Sequence, residues 1–86
     1  MKIYVESHTH LATQDTLIGG VYHSIEAFEK HKEDHWNGSC VWKLSQDVIG
    51  QAGLDFRTYF MTITNNLNSE SSKYYICVQG YEVEKE

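Results

Sequence analysis

The stretch that decides the fold is SIEAFEKHKEDHWNG, residues 24–38. Ser24 is a good N-cap, and Glu26 falls in the first helical turn, where the helix dipole favours an acid. The apolar residues of the stretch recur at helical spacing: Ile25, Phe28 and Trp36. On a helical wheel they fall within an arc of about 80°. Asn37–Gly38 accepts positive φ and predicts the end of the helix. The stretch therefore predicts one amphipathic helix with a single packing face.

The segments before this helix alternate as strands do. In KIYVES, residues 2–7, Ile3 and Val5 face one way and Tyr4 and Glu6 the other. Residues 16–24, TLIGGVYHS, follow a polar loop and predict an antiparallel partner strand. Because apolar residues continue on both sides of Gly19–Gly20, this pair predicts a bulge or a close backbone approach and not a hairpin turn.

The segments after the helix predict three more strands. The alternation of residues 40–44, the aromatic and β-branched run FRTYFMTIT at 56–64, and KYYICVQGYEVE at 73–84 indicate them. Residues 45–55 are open between a helical turn and an apolar loop, and two glycines weaken both interpretations. The order β-β-α-β-β-β predicts an α+β fold, with an antiparallel sheet of about four to five strands and one main helix packed on one face.

Composition sets limits on function. The 86 residues, 41% hydrophobic and 13% aromatic, predict one globular domain over 1–86. No apolar run approaches the roughly 20 residues of a membrane span, and the N-terminal stretch lacks the apolar core of a signal peptide. We therefore expect no membrane association and a cytoplasmic location, with Cys40 and Cys77 as free thiols. Twelve acids against seven bases give a net charge of −5 and no basic stripe, so we expect no direct nucleic-acid binding.

The spacing of His31, His35 and Cys40 suggests metal binding. Histidines four apart on a helix share one face, which suits a metal. However, Lys32 occupies the position at which the metalloprotease signature requires a glutamate, and both histidines fall at the border of the apolar face. We therefore interpret them as boundary residues.

A second group of histidines comes from the first two strands. His8 and His10 point the same way on an extended chain, and His23 on the next strand is a third candidate. No Asp or Cys nearby completes a ligand set. We expect no metal site, no cofactor and no catalytic constellation.

Two surfaces are candidate partner sites. The first is a second, exposed apolar face of the sheet, because the strands carry large side chains on both faces. Its candidate residues are Tyr4, Tyr59, Met61, Tyr75 and Tyr81. The alternative is that residues 45–54 cover this face.

The second surface is the acidic side of the helix, formed by Glu26, Glu29, Glu33 and Asp34. Such an array can imitate nucleic-acid phosphates. The alternative is a solvated helix face, since Lys30 and Lys32 interrupt the acids and form local pairs worth a few tenths of a kcal/mol.

Three segments carry a family resemblance: KIYV at 2–5, GVYHSIEAFEKH at 20–31 and VQGYEVEKE at 78–86. Together they resemble a broad group of small phage and prophage accessory proteins. Those chains open with a Lys-Val-Tyr-Val-type strand, enter their helix through a Gly-Val-Tyr/Phe-x-Ser junction and close on a Tyr-Glu-Val-Asp/Glu strand. The motifs are structural, and the region 37–70 is longer than in that group. The resemblance implies a non-enzymatic protein that binds and blocks or sequesters a host component.

We therefore expect an inhibitor or adaptor that acts on a host protein, including a defence component, by protein–protein contact. The alternative is a module that sequesters a nucleotide-like molecule, as a homo-oligomer because one small domain has little room for a pocket. Two further alternatives are an acidic nucleic-acid mimic and a zinc-binding protein.

Overall fold

The computed structural model describes residues 1–35, 40–51, 53–64, 67–68 and 70–83. Its elements are β1 (Lys2–His10), β2 (Thr16–Tyr22), α1 (Ile25–His35), β3 (Cys40–Asp47), β4 (Phe56–Thr64) and β5 (Ser71–Glu82). The five strands form one antiparallel sheet in the order β2-β1-β5-β4-β3. The predicted α+β fold and element order are confirmed.

Helix α1 begins as its N-cap predicts. The Ala27 amide donates to Ser24 Oγ at 3.1 Å. Phe28, 1% exposed, is the anchor of the helix, and its ring packs against Tyr22 and Tyr59 with centroid distances of 5.6 and 6.3 Å. The predicted core contact of Trp36 and the predicted stop at Asn37–Gly38 lie outside the described residues.

The register divides the sheet into two faces. The helix face carries the residues packed under α1, and the buried core consists of Tyr4, Phe28, Tyr59, Met61, Ile76 and Val78. The open face is the opposite side of the sheet. It carries the alternate residues, including Val5 opposite Gln79 on β5 and Thr9 opposite Tyr75.

The prediction that Tyr4, Tyr59 and Met61 lie on an exposed face is wrong. All three point toward α1 and are no more than 9% exposed. Strand pairing puts Tyr4 beside Tyr22, and the helix that follows Tyr22 covers that face. Tyr75 and Tyr81, predicted with them, do belong to the open face, where Tyr75 is half-buried and Tyr81 is 48% exposed.

The described residues of 45–54 reach only one end of the open face and leave Phe60 and Tyr81 exposed. Strand β3 extends to Asp47, and a loop then turns the chain back, with the Val48 amide donating to the Phe56 carbonyl at 2.9 Å. Ile49 packs against the core. Gly50 and Gly53 have φ of 77° and 75°, so the two glycines serve turns of a loop and do not break a helix.

The Gly19–Gly20 pair forms the predicted bulge. The β1–β2 register shifts so that Glu6 faces Gly20 while Ser7 faces Ile18. A Cβ at Gly19 would lie 2.7 Å from His8 Cδ2 and 2.9 Å from Glu6 Oε2. Both the bulge and the close approach are therefore present.

Candidate functional site

The open face carries an aromatic pair flanked by lysines. Thr9, Tyr75, Phe60 and Lys43 face one another across four strands, in one row. The Phe60 and Tyr75 ring centroids are 5.4 Å apart. In the next row Lys73 faces Thr62, which faces Val41. We call Val41, Lys43, Phe60, Lys73 and Tyr75 the open-face patch.

Charge is divided between the two faces of the sheet. The acids of the described strands all lie on the helix face, and they are Glu6, Asp47 and Glu82. The charged side chains of the open face in those strands are Lys43 and Lys73. A chain of net charge −5 thus presents a cationic and aromatic face. Sequence reasoning missed this feature because the two lysines are far apart in the chain and only the β3-β4-β5 register brings them together.

Two adjoining grooves meet at Phe60, which is 44% exposed. One, of about 680 Å³, is bordered by both patch lysines, Val41 and Leu11. The other, of about 590 Å³, is bordered by Thr9, Leu11 and Tyr75. An exposed aromatic ring between two grooves, with ammonium groups beside it, suits a ligand surface that is apolar at its centre and acidic at its rim.

A third cavity, of about 570 Å³, lies where the loop after β3 reaches one end of the open face. Its lining includes two aromatic side chains and three glutamines: Phe56, Tyr75, Gln46, Gln51 and Gln79. Burial raises the pKa of the Cys77 thiol, which also borders the cavity, and this makes it a poor nucleophile at neutral pH. The cavity therefore offers stacking and amide hydrogen bonds, and its rim also carries the charged groups of Lys2, Asp55 and Glu82.

The helix acids have unequal environments. Glu26, Glu33 and Asp34 are exposed, whereas Glu29 is half-buried against the sheet. Glu29 Oε1 accepts hydrogen bonds from Tyr59 Oη at 2.6 Å and from Arg57 Nη1 at 2.9 Å. Glu29 therefore links the helix to the sheet. The sequence predicted it as part of an acidic partner surface and gave no sign of this structural role.

The electrostatics of this link favour the charged form of Glu29. Burial acts to raise its pKa, but the hydrogen bonds from Tyr59, Lys32 and Arg57 outweigh burial and lower the pKa below its usual value. Lys32 Nζ lies 2.9 Å from Glu29 Oε2 and 4.4 Å from the centre of the Tyr59 ring. Asp47 holds the other side of the Arg57 guanidinium at 3.1 Å.

A buried carboxylate on β1 forms a second polar cluster. Glu6 is 2% exposed; its Oε1 accepts a hydrogen bond from Tyr22 Oη at 2.6 Å, and its Oε2 pairs with His8 Nε2. Burial alone would raise the pKa of Glu6. The hydrogen bonds from His8 and Tyr22 outweigh burial, and the pKa lies below its usual value. Burial and the hydrogen bond to Glu6 both raise the pKa of Tyr22.

Of the two candidate histidine sets, the one on the first two strands does not assemble as ligands in the described residues. His8 pairs with Glu6, and the ring of His10 packs edge-on against Tyr74 at 4.9 Å. Within the described part of the chain, no three His, Cys, Asp or Glu side chains are grouped so that they could hold a metal ion. The side chain of His35, part of the other predicted set, is not among the described groups.

Both cysteines are free thiols, as predicted. Cys40 faces Ile63 on the helix face, and Cys77 faces Thr58 on the open face. In the described segments no helix is long and apolar enough to cross a membrane. Comparison with known protein families, with curated proteins and with solved structures finds no match to this chain.

Proposed function

We propose that this protein is a small binding protein that inhibits or sequesters a partner protein in the cytoplasm, and that the open-face patch is its contact surface. The observation that carries the proposal is the exposed Phe60 ring packed on half-buried Tyr75 and flanked by Lys43 and Lys73, on a face whose described strands contribute no acid. The phage resemblance suggests a host protein as the partner, and a defence component is one such host protein.

Aromatic anchors supply the affinity in this proposal. Binding energy at interfaces concentrates in a few large side chains near the centre, and aromatic residues are enriched among them. Phe60 is 44% exposed, and its ring packs on one side against Tyr75, so it is held in place before a partner arrives. Such an anchor loses little conformational entropy on binding.

The lysines define the chemistry of the partner. Lys43 lies directly opposite Phe60, and Lys73 lies two residues from Tyr75 on the same face, about 7 Å along the strand. Two ammonium groups at the edge of an aromatic patch are complementary to acidic side chains around an apolar centre. Two cations are too few to neutralise the phosphates of a nucleic-acid site, which favours a protein partner.

The test begins with the purified tagged protein and a lysate of the natural host. Wild type, Phe60→Ala, Lys43→Ala and the helix-surface control Lys30→Ala are compared by quantitative proteomics. A protein held by wild type and Lys30→Ala but reduced by the other two variants is then purified and titrated. We expect Phe60→Ala to weaken its binding by roughly 30-fold or more.

Lys43→Ala should weaken binding several-fold, mainly through a slower association rate and a smaller salt dependence. Circular dichroism must show that all variants remain folded. Equal binding by wild type and Phe60→Ala would remove the open-face patch as the contact surface. Binding of a labelled oligothymidylate with affinity that depends on Lys43 would point to nucleic acid instead and overturn the proposal.

A second function, sequestration of a nucleotide-like small molecule, is favoured by the cavity at the end of the open face. The rings of Phe56 and Tyr75 and the amides of Gln46, Gln51 and Gln79 border it, and its volume of about 570 Å³ is within the usual range for ligand sites. Native mass spectrometry of freshly purified protein tests this function directly. A bound small molecule that is lost in Gln79→Ala supports it, and a ligand-free spectrum counts against it.

A further inference from the structure

We infer that two copies of this chain pair through the free edge of β2, antiparallel and about a two-fold axis, so that the protein is a homodimer with one continuous ten-stranded sheet. Strand β2 is an outer strand of the sheet and pairs with β1 along one edge. Its exposed apolar side chains are Leu17, Ile18 and Val21, at 73%, 66% and 60% exposure. The inference is independent of the proposed partner and does not require it.

The two outer strands of the sheet differ in how they are protected. An unpaired edge invites another strand unless charges, bulges or coverage prevent pairing. Both β2 and β3 contain a bulge. Strand β3 carries Lys43 in its middle and Asp47 at its end, whereas the sequence of β2, TLIGGVY, contains no charged residue. The edge without charge is therefore the one left open to a second strand.

The occupant that best fits this edge is a second copy of the same strand. An antiparallel pair places the beginning of one strand beside the end of the other. With Ile18 opposite Val21 of the second copy and Leu17 opposite its Tyr22, each facing pair lies on one face of the sheet, and the reciprocal pairs form at the other end of the strand. Ile18 and Val21 are both exposed on the open face, so they are able to pack against each other across the axis. This is the self-complementary arrangement that two-fold symmetry requires.

The side-chain arrangement is also compatible with pairing. Ile18 faces Ser7 and Val21 faces Val5, so both belong to the open face, while Leu17 faces His8 on the helix face. The strand therefore has exposed apolar groups on both sides of its backbone. Gly19 and Gly20 add no side chain at the centre, where the two strands would cross the axis. In the pair, the apolar groups of one copy cover those of the other.

The oligomeric state of the purified full chain tests the inference. Light scattering after size exclusion and native mass spectrometry at about 5–100 µM should give twice the chain mass of 10.0 kDa. Ile18→Lys should raise the dimer dissociation constant at least 100-fold. Val41→Lys on the other outer strand is the matched control, because Val41 is also 66% exposed on the open face, and it should leave the dimer intact.

Charge exchange tests the two-fold arrangement. Ile18→Lys and Val21→Glu should each weaken the dimer, and the double variant should recover much of the lost affinity, because opposite charges then face each other across the axis. Hydrogen exchange gives a measurement that needs no variant: amides of residues 16–22 should gain protection as wild-type concentration rises.

A wild-type monomer at 100 µM would overturn the inference. So would a larger assembly, or a dimer that Val41→Lys disrupts and Ile18→Lys does not. Because host-protein capture is measured separately, its failure leaves this result unaffected.

Discussion

The link between helix and sheet at Glu29 yields a prediction that separates structural acids from surface acids. In Glu29→Ala, Tyr59 Oη and Arg57 Nη1 lose their 2.6 and 2.9 Å hydrogen bonds, and Lys32 loses its ion pair. Hydrogen bonds to charged groups are worth about 1.5–3 kcal/mol. Two features limit the loss: Arg57 keeps Asp47, and the Glu29 side chain is 27% exposed.

We therefore expect Glu29→Ala to lower the free energy of unfolding by about 2 kcal/mol. At about 4–8 °C per kcal/mol for a domain of this size, the melting temperature should fall by roughly 8–16 °C. The matched control is Glu33→Ala on the exposed side of the same helix, which should change stability by no more than about 0.5 kcal/mol.

Urea unfolding followed by circular dichroism measures both variants. Tyr59→Phe, which removes only the hydroxyl, should cost about 1 kcal/mol, and its effect should not add fully to that of Glu29→Ala because the two groups share one hydrogen bond. Equal stabilities of Glu29→Ala and Glu33→Ala would refute the role of Glu29 as a link. Full additivity of the double variant would refute the shared hydrogen bond.

Two further predictions concern the core and the buried carboxylate. Phe28→Ala, at a position 1% exposed, should cost about 3–5 kcal/mol, a large part of the roughly 4–13 kcal/mol expected for 86 residues, so urea titration should show a partly or wholly unfolded chain near neutral pH. Because the folded pKa of Glu6 lies below its ordinary value of 4.5, its stabilising contribution is present above that value and is lost as pH falls through the folded pKa. The free energy of unfolding should therefore decline as the pH falls below about 4.5, and Glu6→Gln should show a smaller decline in the same urea titrations. An unchanged decline would contradict the assignment.

The sequence was sufficient to predict the elements of this fold. Ser24 supplies a cap whose partner is three residues away, and strand alternation is a property of consecutive residues. Gly19–Gly20 was interpretable for the same reason, since its bulge shows locally as a loss of side chains between apolar residues. Signals of this kind require no knowledge of which strands are neighbours.

The face assignment could not be obtained in the same way. Strand β4 has large side chains on both faces, with Tyr59 and Met61 on one and Phe60 on the other. Only the position of α1 decides which set is covered. Glu6 also misleads a prediction from sequence, because a carboxylate normally indicates a solvent-exposed position. Its burial is tolerated because Tyr22, 16 residues away in the chain, donates a hydrogen bond to it.

The candidate site was hidden for a related reason. The Lys43 and Lys73 ammonium groups belong to one patch only through two successive strand registers. The acids that give the chain its negative net charge lie mostly on the helix and in helix-face rows. The net charge therefore did not indicate the charge of the open face. Tyr75 and Tyr81 were predicted for the face on which they lie, and their contact with a partner stays a prediction.

The central position of β5 has a consequence for how the chain acquires its structure. β5 pairs with β1 from Lys2 opposite Glu82 to His10 opposite Tyr74, so contacts in the middle of the sheet join residues 64 to 80 positions apart. Ile76 and Val78, which are fully buried, come from this strand. Until β5 has left the ribosome, the β1–β2 and β3–β4 hairpins have no strand between them to pair with, and the core lacks Ile76 and Val78. Such high contact order predicts slow folding that is completed only after synthesis has passed β5, and dependence on chaperones during that interval.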